Sequence, residues 1–147
     1  MIILAFFLAH WYLSLFAQTF FQHRYAAHRM FTMALRTERL FFLLTYATQG
    51  SSFMSPRAYA LLHRMHHAYS DTAHDPHSPH NSTNVLTMML KTHSIYQDCV
   101  KGTSVAVPRF AGNYPVWNSL EDFGIKWYSR VGWAAVYVLL YVNFATA

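Results

Sequence analysis

Cysteine is almost missing from this chain, and so is charge. Cys99 is the only cysteine among 147 residues, which excludes an intrachain disulfide and any cysteine-ligated zinc or iron–sulfur site. Charged residues make up 12% of the chain and hydrophobic ones 54%, whereas soluble domains carry about 25% charge. The carboxylates are Glu38, Glu121, Asp71, Asp75, Asp98 and Asp122. None opens a Glu-x-x-His repeat, so a ferritin-like carboxylate di-iron site is excluded. No GxGxxG, Walker A or HExxH stretch occurs, so no nucleotide-binding or zincin motif is visible. The net charge is +5 but contains no Lys/Arg run. It reads as a face toward anionic lipid, and no nucleic-acid partner is expected.

Histidine and aromatic residues are what the chain has. Aromatics reach 18% and flank apolar runs, as in the interfacial belts of a bilayer protein. His63-Arg64-Met65-His66-His67 places three imidazoles at i, i+3 and i+4. On an α-helix they fall at about 0°, −60° and +40°, a single arc. Upstream lies His23-Arg24-Tyr25-Ala26-Ala27-His28. Its two histidines stand about 140° apart on an α-helix and need a helix end to converge. A lone HxxHH is more often a surface cluster than a metal site. Two such groups beside a membrane segment read as a metal centre. Imidazoles suit iron, zinc, copper or nickel, so ligand type leaves the metal open.

The chain in order predicts an all-α membrane protein, with transmembrane helices and a cytoplasmic histidine-rich helical cap. Ile2 to Phe21 has no formal charge and as a helix spans about 30 Å, one hydrocarbon thickness. It lacks the basic start and cleavage site of a signal peptide and reads as an uncleaved transmembrane helix. His10 lies inside it, about 220° round the helix from His23, and reads as packed or hydrogen-bonded. Arg24, Arg29, Arg36 and Arg39 follow, which places this end in the cytoplasm. Residues 40–62 are expected as an interfacial helix. A crossing would put Arg57 in lipid, at about 2.5–3.5 kcal/mol, and would separate the two histidine groups. After His67, Pro76 and Pro79 predict a polar loop. In it Asp71 and Asp75 suit the orienting of imidazoles, with helix punctuation and solvated charge as the plain alternative. Residues 84–100 pattern as an amphipathic helix capped near Thr83 or Asn84, lying on the membrane surface or across the histidine loop. His93 within it is solitary. Residues 101–130 read as interfacial loops and short helices, and 131–147 as a second transmembrane segment.

These residues carry a resemblance. His23–Arg29 resembles the first histidine box, and His63–His67 the second, of the membrane fatty acid desaturases. Gln49-Gly50, Tyr69-Ser70-Asp71 and Asp75-Pro76-His77 are similar to the surroundings of the second box in the acyl-CoA and acyl-lipid Δ9 branch. The resemblance covers essentially the whole chain, as the N-terminal part of one integral-membrane desaturase domain. It implies a di-iron enzyme that uses O2 to insert a double bond into a long acyl chain. It also implies two iron ions held by His23, His28, His63, His66 and His67, with Asp71, Asp75 and His77 supporting the ligands from behind. The implied partners are an acyl-CoA or acyl-lipid substrate, membrane lipid and an external ferredoxin- or cytochrome-type electron donor. The family has a third HxxHH box, and no histidine follows His93 here. Activity is therefore expected of a longer parent chain. A related membrane hydroxylase or alkane monooxygenase is the alternative enzyme reading. A histidine-rich, non-catalytic metal-binding membrane protein is the alternative outside enzymes.

Overall fold

The computed structural model describes residues 1–103 and 109–145. Among them every regular element is helical, as the composition predicts, and no strand occurs. The order is α1 (Ile2–Ala17), a π-helix (Gln18–Ala27), α2 (Leu35–Gln49), α3 (Pro56–Tyr69), α4 (Val85–Lys101), α5 (Asn118–Gly124) and α6 (Trp127–Phe144). They form two compact units, one of residues 1–21, 33–55 and 117–147, the other of 22–32 and 56–116.

In the first unit α1 is apolar on every side and contains neither glycine nor proline. Its Phe7, Trp11 and Leu15 are exposed. With the π-helix it runs unbroken from Ile2 to Ala27, the one helix among the described residues long and apolar enough to cross a membrane. Phe21 is fully buried and meets Phe42 of α2 edge-on at 5.1 Å. Phe42 in turn meets Trp117 at 6.0 Å. Buried Glu121 accepts hydrogen bonds from the Ser55 hydroxyl and the Trp117 N–H. His10 stacks on Phe6, and its Nε2 lies 3.1 Å from the Tyr137 hydroxyl. It is hydrogen-bonded and packed, as the sequence predicts. A groove of about 440 Å³, lined chiefly by apolar residues of α1 and α6, opens beside this pair.

The expected single helix over 40–62 is instead two helices. α2 stops at Gly50, whose φ of +55° lies where glycine is favoured. Pro56 then starts α3 at the first helical position, where its missing N–H would have no partner anyway. The break was written in the sequence as Gly50-Ser51-Ser52 followed by Pro56.

The second unit holds the end of the π-helix from Gln22, with α3 and α4. Ala26, Ala27 and Ala60 are buried against one another, with Tyr59 and Tyr114 beside them. These small side chains let the π-helix and α3 approach closely. α4 matches the expected helix over 84–100: Asn84 Oδ1 accepts the Thr87 N–H at 2.9 Å as its cap. The α4 end is tied to α3 through Arg57, which donates to the Cys99 and Val100 carbonyls at 3.4 and 3.1 Å. The expected polar loop follows α3, with only a 3₁₀ turn at Pro79–Asn81. Of the expected segment 131–147, α6 covers the part up to Phe144; residues 146–147 lie outside the described ones.

Candidate metal centre

Four histidines of the second unit converge. His23, His28, His63 and His67 each offer a ring nitrogen, all within 4.8 Å of one another. His28 Nε2 lies 3.1 Å from His63 Nε2, and His67 Nε2 lies 3.0 Å from the same atom. The His23 ring centroid is 4.6 Å from those of both His28 and His63.

Local backbone geometry explains the convergence. In a π-helix the N–H of residue i+5 bonds the carbonyl of residue i, and here that bond joins the box histidines themselves: His28 N–H to His23 O at 3.0 Å. The wider winding removes most of the 140° separation that an α-helix would impose. Arg29 then leaves the helix at φ +53°, a left-handed conformation uncommon outside glycine. On α3, His63 and His67 stand one turn apart and reach the same point. Tyr59, a turn earlier, stacks on His63 at 5.5 Å and 10° between planes. Its i−4 spacing from His63 was the available signal, missed in reading the sequence.

The electrostatics favour the neutral form of His23, His28 and His63. Burial pushes the His63 pKa down from 6.5 to about 3, and the neighbouring His23, His67, His28 and His66 push the same way. His28 is lowered by burial and by His23, His67 and Arg64. A neutral imidazole is the ligating form. His63 Nε2 is one atom with one in-plane site, yet it faces two other ring nitrogens. One proton cannot serve both contacts, whereas one cation can.

Two imidazoles on one ion at about 2.0–2.1 Å lie roughly 2.9 Å apart at right angles and about 3.3 Å apart at the tetrahedral angle. The observed separations of 3.0 and 3.1 Å therefore fit a shared first coordination sphere. The donor set is all nitrogen, so iron, zinc, copper and nickel all suit it.

His66 is the fifth expected ligand and stands apart from the four. Its Nδ1 is 2.8 Å from Asp75 Oδ1, and its ring centroid is 5.8 Å from that of His67. Asp75 is 1% exposed. Its Oδ1 also accepts the His77 N–H at 2.8 Å, and Oδ2 accepts the Asp71 N–H at 2.9 Å. Burial by itself pushes this carboxyl up, but the bonds from His66, His77 and Asp71 outweigh it and hold the pKa below the ordinary value. With Asp75 taking the Nδ1–H, His66 keeps Nε2 as its lone-pair nitrogen. Asp71 has no such contact: its Oδ1 accepts from the Ser78 hydroxyl at 3.2 Å, and its backbone turns at φ +60°. His77 Nδ1 lies 3.1 Å from the Thr92 hydroxyl, and its ring is 6.0 Å from His66. His93 is exposed and outside the group.

No protein-family model, no curated protein and no solved structure matches this chain.

Proposed function

We propose that this chain carries the first two histidine boxes of a membrane-bound, oxygen-dependent di-iron enzyme that desaturates a long acyl chain. The observation that carries the reading is the convergence of imidazoles from both boxes on one point, with Asp75 buried behind a fifth. His23, His28, His63 and His67 would hold one iron, and His66 would turn its Nε2 toward a second. When bound, the iron pair supplies the O2-dependent removal of two hydrogens from an unactivated methylene pair. The protein's own part is positional. Tyr59 covers one face of the His63 ring, and Asp75 fixes the tautomer of His66. Electrons would come from an external ferredoxin- or cytochrome-type protein, and the substrate would be an acyl-CoA or acyl-lipid.

Membrane residence fits α1, whose exposed apolar residues need a nonaqueous neighbour. The exposed Val138, Leu139 and Val142 of α6 need one too, in keeping with a second crossing over 131–147. Box imidazoles about 3 Å apart cannot sit on opposite faces of a hydrocarbon layer about 30 Å thick. This supports an interfacial stretch between them, and Arg24, Arg29, Arg36 and Arg39, which follow α1 in sequence, favour boxes that face the cytoplasm.

The test is product analysis of the longest translated form, in membranes supplied with iron, O2 and reductant. A new double bond in the acyl chains is expected. A new hydroxyl would turn the reading to a hydroxylase, and no oxidised product with metal retained would leave a metal-binding membrane protein. The last has its own support, since four imidazoles with no carboxylate among them also suit zinc.

A further inference from the structure

Arg64 sits between His63 and His67 in the second box, yet its side chain turns away from both, toward backbone. Its Nε donates to the Ala27 carbonyl at 2.8 Å, and Nη2 donates to Ala26 at 3.0 Å and Asn113 at 3.3 Å. Nη1 donates to Phe110 at 2.9 Å and Gly112 at 2.7 Å. A guanidinium has five N–H groups in a fixed fork, and here each has its own carbonyl. Tyr114 lies under the cation at 5.6 Å.

Two of those carbonyls matter most. Ala26 and Ala27 end the π-helix immediately before His28, where carbonyls have no partner within the helix and the dipole is negative. A cation placed there satisfies both conditions at once. Through Arg64, the backbone that presents His28 is bonded to the α3 turn that presents His63 and His67. The same group closes the loop at Phe110–Asn113 over that junction.

We propose that Arg64 is the positioning residue of the metal centre, the clamp that sets His28 against His63 and His67. This rests on reading the four-histidine cluster as metal-binding. Lysine would keep the charge but has three donors on a single nitrogen, without the planar fork. Arg64→Lys should therefore loosen the junction without removing any imidazole.

The matched control is Arg57→Lys. Arg57 also donates to carbonyls in this unit, those of Cys99 and Val100 at the end of α4. Full-length chain in detergent is titrated with Co2+ against a chromophoric chelator, and its visible ligand-field bands are recorded. Amide hydrogen exchange is measured on the same samples without metal. Arg64→Lys is expected to speed exchange in residues 22–30 and 109–116, to weaken Co2+ binding about 10–100-fold as losses behind metal ligands do, and to change the bands. Arg57→Lys is expected to leave Co2+ affinity and bands at wild-type values. Unchanged exchange in Arg64→Lys would show that the clamp is not what orders these segments, and would overturn the proposal. Faster exchange with wild-type Co2+ affinity and spectrum would make Arg64 merely structural, which overturns it too. Wild-type chain that binds Co2+ no better than a His63→Ala variant would instead sink the metal-centre reading on which the proposal stands.

Discussion

Replacing Asp75 by asparagine isolates the carboxylate behind His66 with almost no change of shape. Three donors converge on this side chain: His66 Nδ1 and the His77 N–H on Oδ1, and the Asp71 N–H on Oδ2. Asparagine offers one acceptor oxygen and one NH2. If its oxygen serves His66 and His77, its NH2 meets the Asp71 N–H, donor against donor. One buried donor left unpaired costs about 1–3 kcal/mol. The two surviving bonds lose their charge assistance, roughly 1 kcal/mol each. Asp75→Asn should thus destabilise the folded chain by about 3–5 kcal/mol at neutral pH. Asp71→Asn is the internal control, because the Asp71 side chain is exposed and only accepts from the Ser78 hydroxyl; it should cost under about 1 kcal/mol. The difference should also depend on pH. The Asp75 carboxyl titrates below 3.8 in the folded chain, so its contribution is complete above about pH 4 and fades as pH falls through the folded value. Denaturant unfolding in detergent between pH 3 and 7 measures both. An Asp75→Asn chain within about 0.5 kcal/mol of wild type, or a gap that does not shrink below pH 4, would refute the reasoning.

His67→Ala should weaken Co2+ binding at least tenfold in a chelator-competition titration, whereas His10→Ala, which loses only Phe6 and Tyr137 as partners, should leave it unchanged. Gly50→Ala should destabilise by about 2–4 kcal/mol in denaturant unfolding, since a left-handed non-glycine residue and an overpacked contact add together; the new Cβ would overlap the Tyr137 hydroxyl. In a Cys99→Ala background, cysteines placed at exposed Arg24 and Ser70 should react with an impermeant maleimide from the same side of sealed vesicles.

The sequence reading succeeded where local chemistry dictates local geometry. Asn84 ahead of an amphipathic stretch is a helix start, and α4 begins there. His63 and His67 are 40° apart by helical phase and do meet; His66, on the other flank of the arc, points to Asp75 instead. The first box was legible as residues but not as conformation. Nothing in Gln18–Ala27 distinguishes a π-helix from an α-helix before tertiary packing selects it, and that winding is what brings His28 over His23. The break between α2 and α3 was signalled by Gly50 and Pro56, but the arguments from Arg57 and the shared side addressed only whether residues 40–62 cross, not whether they form one helix. Arg64 lay beyond reach altogether: its partners Phe110, Gly112 and Asn113 are loop carbonyls of remote sequence, and only the fold brings them to it.

The proposed activity requires the two boxes to form one metal centre. The most direct test of that requirement is metal binding by the 147-residue chain in detergent, with Fe2+, Zn2+ and Co2+ titrated in turn, beside His23→Ala and His67→Ala. Five box imidazoles are few donors for two irons, so the account predicts reversible binding, with zinc taken as readily as iron. That binding should fall together when either box loses one histidine. Binding that survives the loss of a histidine from one box while depending on the other, or no binding by the wild-type chain, would contradict it.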